Sequence, residues 1–145
     1  MKSKEKGVTM QGSSTYLSFN GNCRQAVEFY KKCLGAELEI MLFSQAPCNT
    51  PPEAKDRIMH ARLTKGPITL MASDSMISDP VQQGNNFHIA IACDSIPEAQ
   101  KLFTAFSENG KVILPLQDMF WGAHFGMLTD QFGINWMFSA ELPKK

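Results

Sequence analysis

Residues 14–36 read STYLSFNGNCRQAVEFYKKCLGA, and residues 86–110 read NFHIAIACDSIPEAQKLFTAFSENG. Each passes from a short strand-like run, through a polar turn, into an apolar stripe at helical spacing. In the first, Asn22-Cys23-Arg24-Gln25 has the form of a capping box, with Asn22 as N-cap and Gln25 three residues on. Ala26, Phe29, Tyr30, Cys33 and Leu34 follow as the buried stripe, and Gly35 supplies the stop. In the second, Ser95 caps, Pro97 sits in the first turn and Glu98 closes the box. Ala99, Leu102, Phe103 and Phe106 make its stripe, and Asn109-Gly110 ends it. With an offset of about 73 residues, Gly21 meets Asp94, Ala26 meets Ala99, Phe29 meets Leu102 and Tyr30 meets Phe103.

Working outward, strand patterns fall near 14–20, 36–43, 57–65 and 67–73, then near 86–93, 111–114, 122–130 and 134–139. Lys65-Gly66-Pro67 and Gln131-Phe132-Gly133 mark the turns before the last strand of each set. Each half is therefore strand, helix and three strands. The expected fold is α+β: two tandem βαβββ modules, about 14–74 and 86–139, forming a curved mixed sheet around a cleft. Neither unit closes a core alone, and a ligand is expected inside the shared concavity. Residues 1–13 read as a loose tail ahead of a single domain, 14–145. The loop 44–55, stiffened by three prolines, is placed near the cleft mouth, and 74–85 links the halves.

Composition narrows the function. The 145 residues carry 43% hydrophobic and 19% charged side chains, and fourteen Lys and Arg balance fourteen Asp and Glu. That balance argues against a broad surface for nucleic acid or an anionic membrane. No apolar run approaches the roughly 18 residues of a membrane span, and the charged N-terminus lacks the apolar stretch of a secretory signal. Cys23, Cys33, Cys48 and Cys93 show no CxxC spacing. Cys23 and Cys33, on one helix, stand roughly 15 Å apart, too far for a disulfide. Free thiols in a reducing cytoplasm are expected. There is no GxGxxG after a strand, no phosphate-cradling GxxxxGK and no GxSxG elbow.

The chain resembles the vicinal oxygen chelate superfamily, which has the glyoxalase, bleomycin-resistance and extradiol dioxygenase fold, and specifically its PhnB-like branch. The residues that carry the likeness are Tyr16-Leu17-Ser18-Phe19-Asn20-Gly21, Ala26-Val27-Glu28-Phe29-Tyr30 and Leu34-Gly35-Ala36-Glu37. They continue through Ile58-Met59-His60-Ala61, Leu70-Met71-Ala72-Ser73-Asp74, Trp121-Gly122, Phe125-Gly126, and Asp130-Gln131-Phe132-Gly133 with Trp136. Gln131 departs from the proline more usual at that turn. The resemblance implies paired βαβββ modules, often dimeric, with a cup-shaped cavity. It does not imply one reaction, because the scaffold hosts many. Some PhnB-like proteins carry a ubiquinone-pathway methyltransferase label, but no Gly-rich strand–turn–helix for a nucleoside cofactor is present here.

The metal-using relatives take one ligand from the first and one from the last strand of each half. The resemblance puts those positions at Thr15, Met71 (or Leu70), His88 and Met137. Only His88 suits a hard or borderline divalent ion, so no metal cofactor is expected. In 86–93, His88, Ala90 and Ala92 alternate with Phe87, Ile89, Ile91 and Cys93, which places the former set over the cleft. His60 and Arg62 alternate with Met59, Ala61 and Leu63, and with His88 they offer a seat for a carboxylate or phosphonate. His124, between Gly122 and Gly126, is placed at the cavity rim, and a His60–His88–His124 metal site is not favoured. Met71, Met127 and Met137 read chiefly as core filler, and Thr15, Met71 and Met137 are also candidates to line the cleft beside His60, Arg62, His88 and His124. The leading expectation is a metal-independent small-molecule-binding protein, or an enzyme of unknown reaction, that uses the cleft between the modules and forms a homodimer, with an anionic ligand as one option. The alternatives are a divalent-metal lyase, isomerase or dioxygenase of the glyoxalase type, and a non-catalytic drug-sequestering dimer.

Overall fold

The computed structural model describes Gly7, residues 9–46 and residues 49–144; Cys48, most of 1–8 and the final lysine lie outside it. The first module comprises β1 (Thr15–Phe19), α1 (Cys23–Leu34), β2 (Glu37–Leu42), β3 (Ile58–Lys65) and β4 (Ile68–Asp74). The second comprises β5 (Ile89–Cys93), α2 (Ile96–Phe106), β6 (Lys111–Asp118), β7 (Ala123–Thr129) and β8 (Asn135–Glu141). The α+β class and the two βαβββ modules stand. The strands form two separate four-stranded sheets, ordered β1-β4-β3-β2 and β5-β8-β7-β6, rather than one continuous curve. In each, the first strand lies parallel to the last and the other pairings are antiparallel.

Both helices follow from their stripes, but their ends differ from the expectation. Gly35 closes α1 in the left-handed region at φ 67°, where a residue without Cβ avoids a steric cost. At the other end, Asn22 stands at the N-cap position and makes no side-chain cap. The Asp74 carboxylate replaces it: Oδ1 accepts from the Gly21 and Cys23 amides, each at 2.9 Å, and Oδ2 accepts from the Ile58 amide at 2.9 Å. A charged acceptor at a helix N-terminus bonds more strongly than a neutral amide would. Ser95 does cap α2, accepting from the Glu98 amide at 3.3 Å. That helix stops at Phe106, and Asn109 takes the positive φ of 58° in the turn beyond it. Gly110 is needed for space, since a Cβ there would sit 2.5 Å from the Thr129 carbonyl oxygen.

Two strands also differ. The second module's first strand begins at Ile89, where pairing with Trp136 of β8 starts, so His88 precedes it. The strand expected at 111–114 runs on to Asp118 as β6. Register shifts after Val112 and Leu114 let this outer strand pass through Pro115, which has no amide to donate.

The modules meet on their helix side. Tyr30 of α1 lies with Phe106 of α2 and Trp136 of β8, with ring centroids 6.0 Å and 5.3 Å from the tyrosine. The Tyr30 hydroxyl donates to Asp130 Oδ2 at 2.6 Å, and the Trp136 indole donates to the same oxygen at 2.8 Å. Asp130 Oδ1 accepts from the Phe132 and Ile134 amides and so shapes the β7–β8 turn. One buried carboxylate thus ties the first helix to the second sheet. On the opposite side β1 and β5 are the outer strands of their sheets, and the two sheets do not close into one.

Candidate functional site

Alternation settles which side chains face the open side. In β1, Leu17 and Phe19 are buried toward the helices while Tyr16 and Ser18 are exposed; in β5, Ile89 and Ile91 are buried while Ala90 and Ala92 are exposed. Leu17 therefore matches Ile89, and Phe19 matches Ile91. That spacing is one residue shorter than the one matching Cys23 with Ile96. Thr15, on the Leu17 and Phe19 face, does not share a face with Met71; Tyr16 does, paired with it in register. Met137 lies on the open face of β8, paired with Ala90 and with Met127.

On the first sheet, Tyr16, Met71, Arg62 and Glu39 form a row across four strands. Neighbouring strands lie about 4.8 Å apart, which puts Arg62 roughly 10 Å from Tyr16. His60 stands two residues from Arg62 on β3, opposite Met41. The Tyr16 hydroxyl and His60 Nδ1 are 3.3 Å apart, a hydrogen bond whose donor is set by the imidazole tautomer. His60 and Arg62 do share the open face, as their alternation required. Glu39 lies directly opposite Arg62, and exposed Glu37 follows on the same face of β2. Two carboxylates on this face of β2 lower the net positive charge around the guanidinium.

His124 lies elsewhere. It pairs with Ala140 on the face that Gly126 and Leu128 turn toward α2, and its Nδ1 is 2.7 Å from Asp118 Oδ1. Among the described residues, no three His, Cys, Asp or Glu side chains gather into a group that could hold a metal ion. At the positions that the resemblance assigns to metal ligands, a phenol or threonine hydroxyl, two thioethers and one imidazole do not fit a hard or borderline divalent ion. The three described thiols are held protonated: burial pushes Cys23 up to about 12 and Cys33 to about 11, and also raises Cys93.

The concavity itself is at the seam. A cavity of about 540 Å³ lies between the outer edge of β1, the 81–84 linker, the residues leading into β5, and the 132–135 turn. The linker is strapped across it. Asn20 accepts from the Val81 amide at 2.7 Å and donates to the Val81 carbonyl at 3.2 Å, while the Gln83 amide donates to the Gly133 carbonyl. None of Thr15, His60, Arg62, Met71, His88, His124 or Met137 lines this cavity. Tyr16 does, so its ring belongs to the cavity wall and its hydroxyl reaches His60. Asn22, Gln82, Gln83 and Asn135 also line it; sequence reading took Asn22 as a helix cap, Gln82 and Gln83 as linker and Asn135 as strand, and none of them as a site residue.

The fold is that of a known class. The family model described as the Glyoxalase/Bleomycin resistance protein/Dioxygenase superfamily matches residues 14–138, and the chain belongs to that superfamily. It is 31% identical over 134 residues to Protein YjdN of Escherichia coli (strain K12), covering 86% of this chain and 91% of that one. The solved structure of protein PA1353 from Pseudomonas aeruginosa is similar, with TM-score 0.84 and 44% identity over 92% of this chain and all (100%) of that chain. A PhnB protein from Bacillus cereus, described as a putative 3-demethylubiquinone-9 3-methyltransferase, shares the fold with TM-score 0.75. It is 22% identical, over 90% of this chain and 99% of that chain.

Proposed function

We propose that this chain is a PhnB-like small-molecule-binding protein whose ligand occupies the seam cavity and which works without the superfamily's usual metal. The observation that carries the reading is the cavity of about 540 Å³, which lies within the range of small-molecule sites and opens between the two modules. The donor chemistry of Thr15 or Tyr16, Met71, His88 and Met137 supports the metal-free part. Tyr16 forms part of the cavity wall, and its bond to His60 holds both rings in place beside it. The protein is further proposed to be a cytoplasmic homodimer. Phe120 and Trp121, at 96% and 54% exposure on the β6–β7 hairpin, are the apolar rim a second copy would cover. No helix of the described residues is long and apolar enough to cross a membrane.

Light scattering and elemental analysis of one chromatographic peak, purified without chelator, test this. A dimer mass with Zn, Ni, Mn and Fe all well below one per chain is expected. A metal near one per chain that His88→Ala abolishes would instead support the divalent-metal enzyme, and a monomer mass would remove the dimer.

A further inference from the structure

The chemistry of the seam cavity restricts its occupant, given that the cavity is the ligand site proposed above. Its lining contains no Asp, Glu, Lys, Arg or His. The polar groups are hydroxyls and carboxamides, and part of their hydrogen-bonding capacity is unspent within the protein. Asn20 is committed to the linker on both its atoms, and Gln83 to Gly133. Asn135 accepts from Thr129 through Oδ1 and keeps its amide donors. Asn22 makes no cap bond. A carboxamide donates and accepts, so this set complements a ligand group that does both and carries no charge.

The walls add the second element. Phe87 and Tyr16 line the cavity with 69% and 48% of their surface exposed, beside partly buried Phe132. Aromatic rings left open at a cavity mouth gain burial and ring stacking from a flat apolar body. A carboxylate placed there would lose water without meeting a counter-charge in the lining.

We infer that the seam cavity takes an uncharged, planar aromatic compound bearing an amide-type group, with the ring between Tyr16 and Phe87 and the amide on Asn22 and Asn135.

Calorimetric titration with naphthalene carboxamide and with the isosteric naphthalene carboxylate tests this on wild type, Asn22→Ala and Ser18→Trp. Ser18 is exposed on β1 and lines the cavity, so the tryptophan fills space without entering the core. Gln82→Trp, from the linker side, is the second plug should the first misfold. The carboxamide is expected to bind at least about ten-fold tighter than the carboxylate, to weaken several-fold in Asn22→Ala, and to be lost in the plugged variants. Equal or tighter carboxylate binding that the plugs still abolish overturns the uncharged class and leaves the cavity as the site. Binding of neither probe, or binding that survives both plugs, overturns the cavity reading and this inference with it.

Discussion

Asp130→Ala is expected to destabilise the domain by about 3–5 kcal/mol, and to lower the melting temperature by roughly 10–15 °C. The carboxylate is buried and accepts from four donors: the Tyr30 hydroxyl, the Trp136 indole and the Phe132 and Ile134 amides. Alanine leaves the Tyr30 and Trp136 donors inside an aromatic cluster with no acceptor, and each such group costs about 1–3 kcal/mol. Against a typical stability of about 5–15 kcal/mol, that is a large fraction. Urea unfolding measures it; a loss under about 1 kcal/mol would show that the modules are joined by apolar packing alone. The same pair sets an alkaline limit. Burial, reinforced by the Asp130 charge, pushes the Tyr30 hydroxyl well above its ordinary 10.0. The unfolded chain releases that proton from about pH 10 upward while the native state keeps it. This contribution is therefore whole below pH 10 and falls as pH rises. Tyr30→Phe should flatten that part of the alkaline slope.

The second large effect is expected at Asp74. Asp74→Ala removes the acceptor of the Gly21, Cys23 and Ile58 amides, and so releases the start of α1 from the start of β3. The expected loss is about 2–4 kcal/mol, smaller than at Asp130 because Gly21 lies nearer to water. Amide hydrogen exchange distinguishes this from general loosening. Gly21, Cys23 and Ile58 should lose more protection than the β7–β8 pairs. Uniform acceleration across both modules would contradict the local account.

Both aspartates lie in stretches that carry the family likeness, Leu70–Asp74 and Asp130–Gly133 with Trp136, and here both hold the fold together. The sequence shows such residues plainly but not their partners. Asn22 had the right type and spacing for a cap, yet the acceptor used is 51 residues from Cys23. Helix stripes and strand alternation depend on neighbours within a turn or two, which is why α1, α2, β4 and β8 were legible. The facing of His60 and Arg62 was legible for the same reason. Glu39 opposite Arg62 was not, because it depends on the β2–β3 register and the irregularity beside Met41. Tyr16 was hidden by a phase difference of one residue between the strand and helix copies. The cavity was hidden by the 81–86 segment VQQGNN, which has no periodicity and takes its place through Asn20 and Gly133. His88 fell out of β5 because its pairing with β8 begins only at Ile89.

The central claim is that the ligand site is the seam between the modules. Amide chemical-shift mapping of the wild-type protein titrated with naphthalene carboxamide tests it most directly. The account predicts saturable shifts at 16–20, 81–84, 87–89 and 132–135, the four segments that wall the cavity, with the β6–β7 hairpin tip unmoved. Shifts confined to 39–41 and 60–62 on the open face of the first sheet, or to the hairpin at 119–122, would contradict it.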